Sequence, residues 1–299
     1  MTISVSGRIT QRMMTSTSMN ALQAGLGRMA TIQEQLATGK TLNRPSDSPT
    51  DTTAAMRLRD SMASTTQYAR NANDGLGWLT QIDSTLGSVT SELQRAYTLA
   101  IQGANTGSNG PAALNSLADE VDGIKASLLA ASNTTYLGRP VFGGITSGTQ
   151  AYDSTGAYVG TPGNVTRRIA DGVAVNVNVD GRNVFGSGAT TAFTELSDLS
   201  TALRTGNSAG IQTAITAMQN RINTVTSART QAGVVYQQVD NANTAAGQAQ
   251  LQMQGNLSTL EDTDLAKATM DLETQKVAYQ ASLAATSKTL QPSLLDFLH

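Results

Sequence analysis

The sequence predicts a mainly α fold: a long antiparallel helical bundle or coiled coil, with coil-forming terminal helices and a small inserted all-β domain. Three observations predict it. Apolar residues near both ends recur at alternating three- and four-residue steps, which keeps one face of a helix apolar. Residues 138–195 contain no leucine, although the chain holds 28, and they carry eight of its 16 valines and eleven of its 27 glycines. Finally, the charged fraction is 14%, and Leu, Ile, Val and Phe together make up only 59 of 299 residues. That apolar supply suits narrow helical seams better than a wide globular core.

Taken in order, the first seam is Met19, Leu22, Leu26, Met29 and Leu36, widened by Ile32. It ends at Gly39, a suitable helix C-cap, before a break from Lys40 to Pro49 that holds two prolines. Ser48 or Asp51 can cap the helix that follows. A second seam passes through Leu76, Leu79, Leu86, Leu93 and Tyr97, and a third through Leu114, Leu117, Val121, Ile124 and Leu128. The short polar break from Asn105 to Pro111 predicts that these two helices are antiparallel neighbours.

In the leucine-free stretch, Val173, Val175, Val177 and Val179 alternate with small or polar residues at a period of two, which predicts a strand. Asp180-Gly181 reads as a hairpin turn, with Val184-Phe185 starting the return strand. The longest seam begins at Ile211 and reaches Leu260, and the last runs Leu265, Leu272, Tyr279, Leu283, Leu290 to the closing Leu294-Leu295-Asp296-Phe297-Leu298. The expected division is therefore terminal coiled-coil segments at 1–43 and 262–299, a helical rod at 44–137 and 194–261, and a β domain at 138–193.

Composition also removes chemistry. There is no cysteine, hence no disulfide, thiolate metal site or cysteine nucleophile. The one histidine is His299, the last residue, so neither a Ser-His-Asp triad nor an HExxH zinc site can be assembled sensibly. No apolar run approaches the roughly 18 residues of a membrane span, and a net charge of −2 with scattered basic residues does not suit nucleic acid. A non-enzymatic protein without metal or cofactor is expected.

Several local patterns have a bland reading that outweighs the chemical one. Gly25-Leu26-Gly27-Arg28-Met29-Ala30 fits a dinucleotide fingerprint, but it sits inside a helical seam rather than after a strand, so its small residues are expected to face a neighbouring helix. Residues 1–33 are basic and rich in Ser and Thr, like a transit peptide, yet the seam continues past Glu34 to Leu36, which favours a retained helix. Glu261, Asp262 and Asp264 lack the glycine and ligand ladder of a calcium loop and are expected to cap the helix from Leu265. Asn133, Asn164 and Asn256 begin chance N-x-S/T triplets, and Trp78 reads as a core anchor.

Charge is divided between the ends. Arg8, Arg12, Arg28, Lys40 and Arg44 against Glu34 give residues 1–44 a balance of +4, whereas residues 261–299 carry −3. Together with the matching seams, this predicts that the two ends pair, within or between subunits, with Arg28 finding an acidic neighbour. The seam residues Met19, Leu22, Leu26, Met29, Leu36, Leu272, Tyr279, Leu283, Leu290, Leu294, Leu295 and Phe297 are the candidate subunit interface.

The order of segments resembles the flagellin-related axial proteins of bacteria. The resemblance rests on Leu36-Ala37-Thr38-Gly39-Lys40 followed by Leu42-Asn43-Arg44-Pro45-Ser46-Asp47-Ser48-Pro49, on Gly138-Arg139-Pro140-Val141-Phe142-Gly143-Gly144, and on Ser282 to Thr286 with the Leu-Leu-Asp-Phe-Leu ending. Arg44, Pro45, Asp47, Phe142, Gly143 and Gly144 are its motif residues. Phe142-Gly143-Gly144 and the ending look more like the junction branch of that family than like filament flagellin. Pro292 departs from the pattern, because it should kink or end a helix that the family extends.

The resemblance implies a structural junction subunit of the flagellum, built by head-to-tail packing into a homo-oligomeric ring. Its implied partners are hook-associated protein 1 on the hook side and flagellin on the filament side. It also implies export to the cell exterior without a cleaved signal, and an export chaperone covering Leu283, Leu290, Leu294 and Phe297 beforehand. The terminal segments are then expected to stay disordered until neighbours bury their seams. The alternatives are a filament-forming flagellin and a surface adhesin acting through the β insert.

Overall fold

A computed structural model describes residues 11–105 and 110–290. The described elements are α1 (Gln11–Thr38), α2 (Pro49–Ala104), α3 (Pro111–Ser132), β1 (Thr135–Tyr136), β2 (Arg139–Pro140), β3 (Thr166–Ala170) and β4 (Val173–Asn176). They continue with α4 (Gly181–Phe185), β5 (Gly186–Ser187), β6 (Thr190–Thr191), α5 (Ala192–Arg204), α6 (Ser208–Glu261) and α7 (Leu265–Leu290). Helices dominate and the sheets are small, as the seams predict. Two compact units divide the chain: residues 1–63 with 251–299, and residues 64–250.

The second unit contains most of the buried apolar side chains. On α2, Leu79, Ile82, Leu86, Val89, Leu93 and Ala96 are buried at three- and four-residue steps, and on α3 Leu114, Leu117, Val121, Ile124 and Leu128 are. The buried residues Ile211, Met218, Val225, Ala232, Val239 and Ala246 of α6 follow a strict seven-residue step. Helix α3 starts with Pro111 in its first turn after Gly110, where the missing N–H costs no helical bond. Helix α5 packs on α3 and starts with a capping box in which the Thr191 and Thr194 side chains accept from each other's backbone N–H. Arg204 near its end reaches Asp119 at 2.6 Å and Asp122 at 2.8 Å on α3, and a bond to Arg204 helps to lower the Asp122 carboxyl pKa against its burial. Trp78 is a core anchor as expected, edge-on to Tyr136 at 5.7 Å.

The β elements form three two-stranded antiparallel hairpins, β1–β2, β3–β4 and β5–β6. They surround buried aromatic residues that belong to the same core as the helices: Phe142 and Phe185 meet edge to face at 5.2 Å, and Tyr152 contacts Phe185 at 5.7 Å and Phe193 at 5.3 Å. Asn133, the first residue of an N-x-T triplet, is structural. Its side chain donates to the Tyr152 carbonyl and accepts from the Ala151 and Tyr152 amides, tying the end of α3 to this cluster.

The hairpin lies elsewhere than the alternation predicts. Strand β4 pairs backward with β3 across Asp171-Gly172, where Gly172 takes φ +68°, and Val184-Phe185 is helical rather than a return strand. The reason is local: Asp180 is extended and its side chain accepts from the Arg182 amide, so Asp-Gly serves here as a helix N-cap instead of a turn.

Candidate subunit interface

The first unit is built around α1 and α7, which pack against each other. The first and last described helices therefore pair within one chain. At the contact, Leu22 is buried, and a side chain at Gly25 would lie 3.5 Å from Gln275 and 3.6 Å from Tyr279. These are ordinary van der Waals distances, so Gly25 faces the neighbouring helix as expected of the GxGxxG look-alike but close approach does not require glycine there, and an added side-chain carbon at the exposed Gly27 would meet nothing within 4 Å.

The candidate interface residues fall into three groups. Leu22, Met29, Leu36, Leu272 and Tyr279 are buried or half-buried. Met19 is 50% exposed, Leu26 48% and Leu283 43%, so each is available to something outside the chain. Leu290 closes α7, but its side chain, and all of Leu294, Leu295, Phe297, Pro292 and His299, lie outside the described residues. Leu265, Met270 and Val277 on α7 are exposed as well. The last two fall off the sequence seam, and nothing in a 3.5-residue repeat marks them.

Within one chain, Arg28 does not find the acidic neighbour that the end-to-end balance predicts. Arg28 is exposed and has no ion pair among the described residues. The ionic contacts gather instead where α1 ends and α7 begins. There Glu261 is 3% exposed, with Lys40 Nζ at 2.8 Å and Arg59 at 2.6 Å from its carboxylate oxygens. The backbone reinforces that corner: the Thr41 N–H and hydroxyl both donate to the Glu261 carbonyl, and the Thr263 N–H donates to the Gly39 carbonyl. Of the three acids expected to cap α7, only Asp264 does so, accepting from the Ala266 and Lys267 amides. Asp262 accepts from Ser258.

The motif residues have structural roles. The Asp47 carboxylate accepts from the Asn43 amide at 3.1 Å and the Arg44 amide at 2.8 Å, folding the break into a turn, and Arg44 pairs with Glu34. Pro45 lines a cleft beside Leu42, Ala55 and Met56. Immediately before α2, Ser48 takes the capping position, accepting from the Asp51 amide and donating to the Asp51 carboxylate at 2.7 Å. In the second unit Phe142 is fully buried, and side chains at Gly143 and Gly144 would clash with Pro140 and with the Thr161 carbonyl, respectively. Gly144 also takes φ +67°, so only glycine fits there without strain.

Among the described residues there is no group of three His, Cys, Asp or Glu side chains that could hold a metal, and no helix is long and apolar enough to cross a membrane. What α1 and α7 offer is exposed apolar surface.

Comparison with known proteins gives this surface a context. Residues 9–147 match the family model of the bacterial flagellin N-terminal helical region, and residues 215–298 match that of the bacterial flagellin C-terminal helical region. The chain belongs to the flagellin-related family. It is 25% identical over 300 residues to flagellar hook-associated protein 3 of Salmonella typhimurium, covering 92% of this chain and 94% of that protein. It is 22% identical over 302 residues to flagellin of Bacillus subtilis, covering 95% and 96%. Its fold is similar to that of a putative flagellar hook-associated protein from Vibrio parahaemolyticus, with a TM-score of 0.66 at 20% identity, covering 72% of this chain and all of that one. This flagellin-related chain is a structural component of the bacterial flagellum, and the relatives it matches are structural proteins.

Proposed function

We propose that this chain is the junction subunit between hook and filament, contacting hook-associated protein 1 on one side and flagellin on the other. One observation carries the assembly part of the proposal. The α1–α7 pair leaves Met19, Leu26, Leu265, Met270, Val277 and Leu283 exposed, so its apolar surface is unfinished in a single subunit. Head-to-tail packing against identical and related neighbours would complete it, since a heterologous contact builds rings or helical tubes. The length-spanning similarity to a hook-associated protein 3 supports the junction position.

In this reading residues 1–43 and 262–299 form the inner coiled-coil layer, ordering along their length as neighbours cover them. Residues 44–137 with 194–261 form the rod, and 138–193 face outward. Before export without a cleaved signal, a chaperone would cover the apolar residues from Leu283 onward.

The test is a strain lacking this gene. It should build hooks yet shed unassembled flagellin into the medium, and complementation should restore attached filaments. Normal filaments in the deletion strain would overturn the junction assignment. The length-spanning similarity to a flagellin supports a second reading, a filament-forming subunit. Purified protein that polymerises alone into long filaments would favour it, whereas incorporation only at the end of flagellin filaments favours the junction.

A further inference from the structure

The exposed apolar face belongs to the assembly already proposed, but the Glu261 corner does not. Glu261 is the one buried acid among the described residues, and two cations converge on it from different parts of the chain. Lys40 follows the end of α1, Arg59 lies on the first turns of α2, and Glu261 is the last residue of α6, just before α7. Its carbonyl and that of Gly39 accept the cross-links from Thr41 and Thr263, so the exit of α1 and the entry of α7 form one antiparallel bridge, Lys40 with Asp262.

We infer that Glu261 is an electrostatic latch that fixes the direction in which the α1–α7 pair leaves the first turns of α2. The burial is asymmetric, and that asymmetry defines how the latch works. The carboxylate is 4% exposed, whereas the Lys40 and Arg59 side chains are 46% and 56% exposed. Either cation can swing into water without a buried charge being stranded, because the other still neutralises Glu261. Losing both leaves an uncompensated buried carboxylate, the most unfavourable state of the three. The latch therefore opens only when both cations leave, and an anionic group on a neighbouring subunit would have to take both to release the corner.

Amide hydrogen exchange on the full chain tests this, read at Thr41 and Thr263, with Leu86 and Leu128 of the second unit as internal controls. Lys40→Met and Arg59→Met alone should each raise exchange at Thr41 and Thr263 by no more than about threefold, since one partner remains. Glu261→Gln should raise it roughly tenfold, and the Lys40→Met/Arg59→Met double variant by more than Glu261→Gln, on the order of a hundredfold. Exchange at Leu86 and Leu128 should stay as in the parent throughout. The latch is overturned if the double variant exchanges no faster than Glu261→Gln, or if the two single effects simply multiply to give the double. It is equally overturned if the controls speed up together with the corner, which would make the cluster a general stabiliser.

Discussion

The two units use the same kind of helix for opposite ends. In the second, α2, α3, α5 and α6 bury a continuous apolar core together with Phe142, Tyr152, Phe185 and Phe193. In the first, the buried apolar residues among those described are Leu22, Ala55 and Ala268, and one of the most enclosed side chains is a carboxylate. Amphipathic helices gain most of their stability from what covers their apolar face. The second unit therefore buries its apolar core within one chain, whereas the first encloses its corner and leaves apolar side chains exposed along α1 and α7.

The difference can be attacked most strongly at the aromatic cluster. Phe185→Ala removes a ring that touches Phe142, Tyr152 and Phe193 and should cost about 3–5 kcal/mol in urea unfolding. Gly144→Ala should cost about 2 kcal/mol by the same measurement, because the methyl group would clash with the Thr161 carbonyl oxygen at φ +67°.

Tyr152 adds a pH signature. Burial raises its hydroxyl above the ordinary tyrosine pKa of 10, and the hydroxyl donates to the Gly186 carbonyl at 2.8 Å. The folded state thus holds its proton more tightly than the unfolded state, so this contribution is complete below about pH 10 and declines as pH rises further. Tyr152→Phe should lose about 1 kcal/mol at neutral pH and show a shallower alkaline decline.

One substitution should stabilise the second unit. Leu137 and Gly138, at the β1–β2 turn, take φ +49° and +78°, and Leu137 is highly exposed. Leu137→Asn suits that left-handed position and should gain about 1 kcal/mol in the melting of the purified chain. The smallest stability effect belongs to the first unit: Leu26→Gln should shift unfolding by no more than about 0.5 kcal/mol, since the side chain is exposed. Sedimentation with flagellin filaments should nevertheless show its incorporation reduced, and unchanged incorporation would remove Leu26 from the interface.

Much of this organisation is legible in the residues. The seams locate the helices because burial in a helix repeats every three to four positions, and the loss of leucine from 138 to 195 marks where helices give way to hairpins. The β pairing is less legible, because Asp171-Gly172 and Asp180-Gly181 carry the same turn signal and only the bond from the Arg182 amide turns the second into a helix cap. The corner is hidden for another reason. Glu261 sits beside Asp262 and Asp264 and reads as one of three capping acids, while Lys40 is 221 positions away. No local pattern records so distant a contact. Net charge likewise indicates that the ends attract, yet not that Lys40 and Arg59, rather than Arg28, make the contacts.

Whether neighbours complete α1 and α7 is decided by amide exchange along these helices, in the isolated chain and after incorporation onto flagellin filaments. In the isolated chain, protection should fall with distance from the corner, from Leu36 toward Met19 and from Ala268 toward Leu283, well below that of Leu86 and Leu128. On assembly it should rise along both helices while the second unit stays unchanged. Protection of Met19 and Leu283 in the isolated chain equal to that of the second unit, with no gain on assembly, would mean that neighbours do not complete these helices.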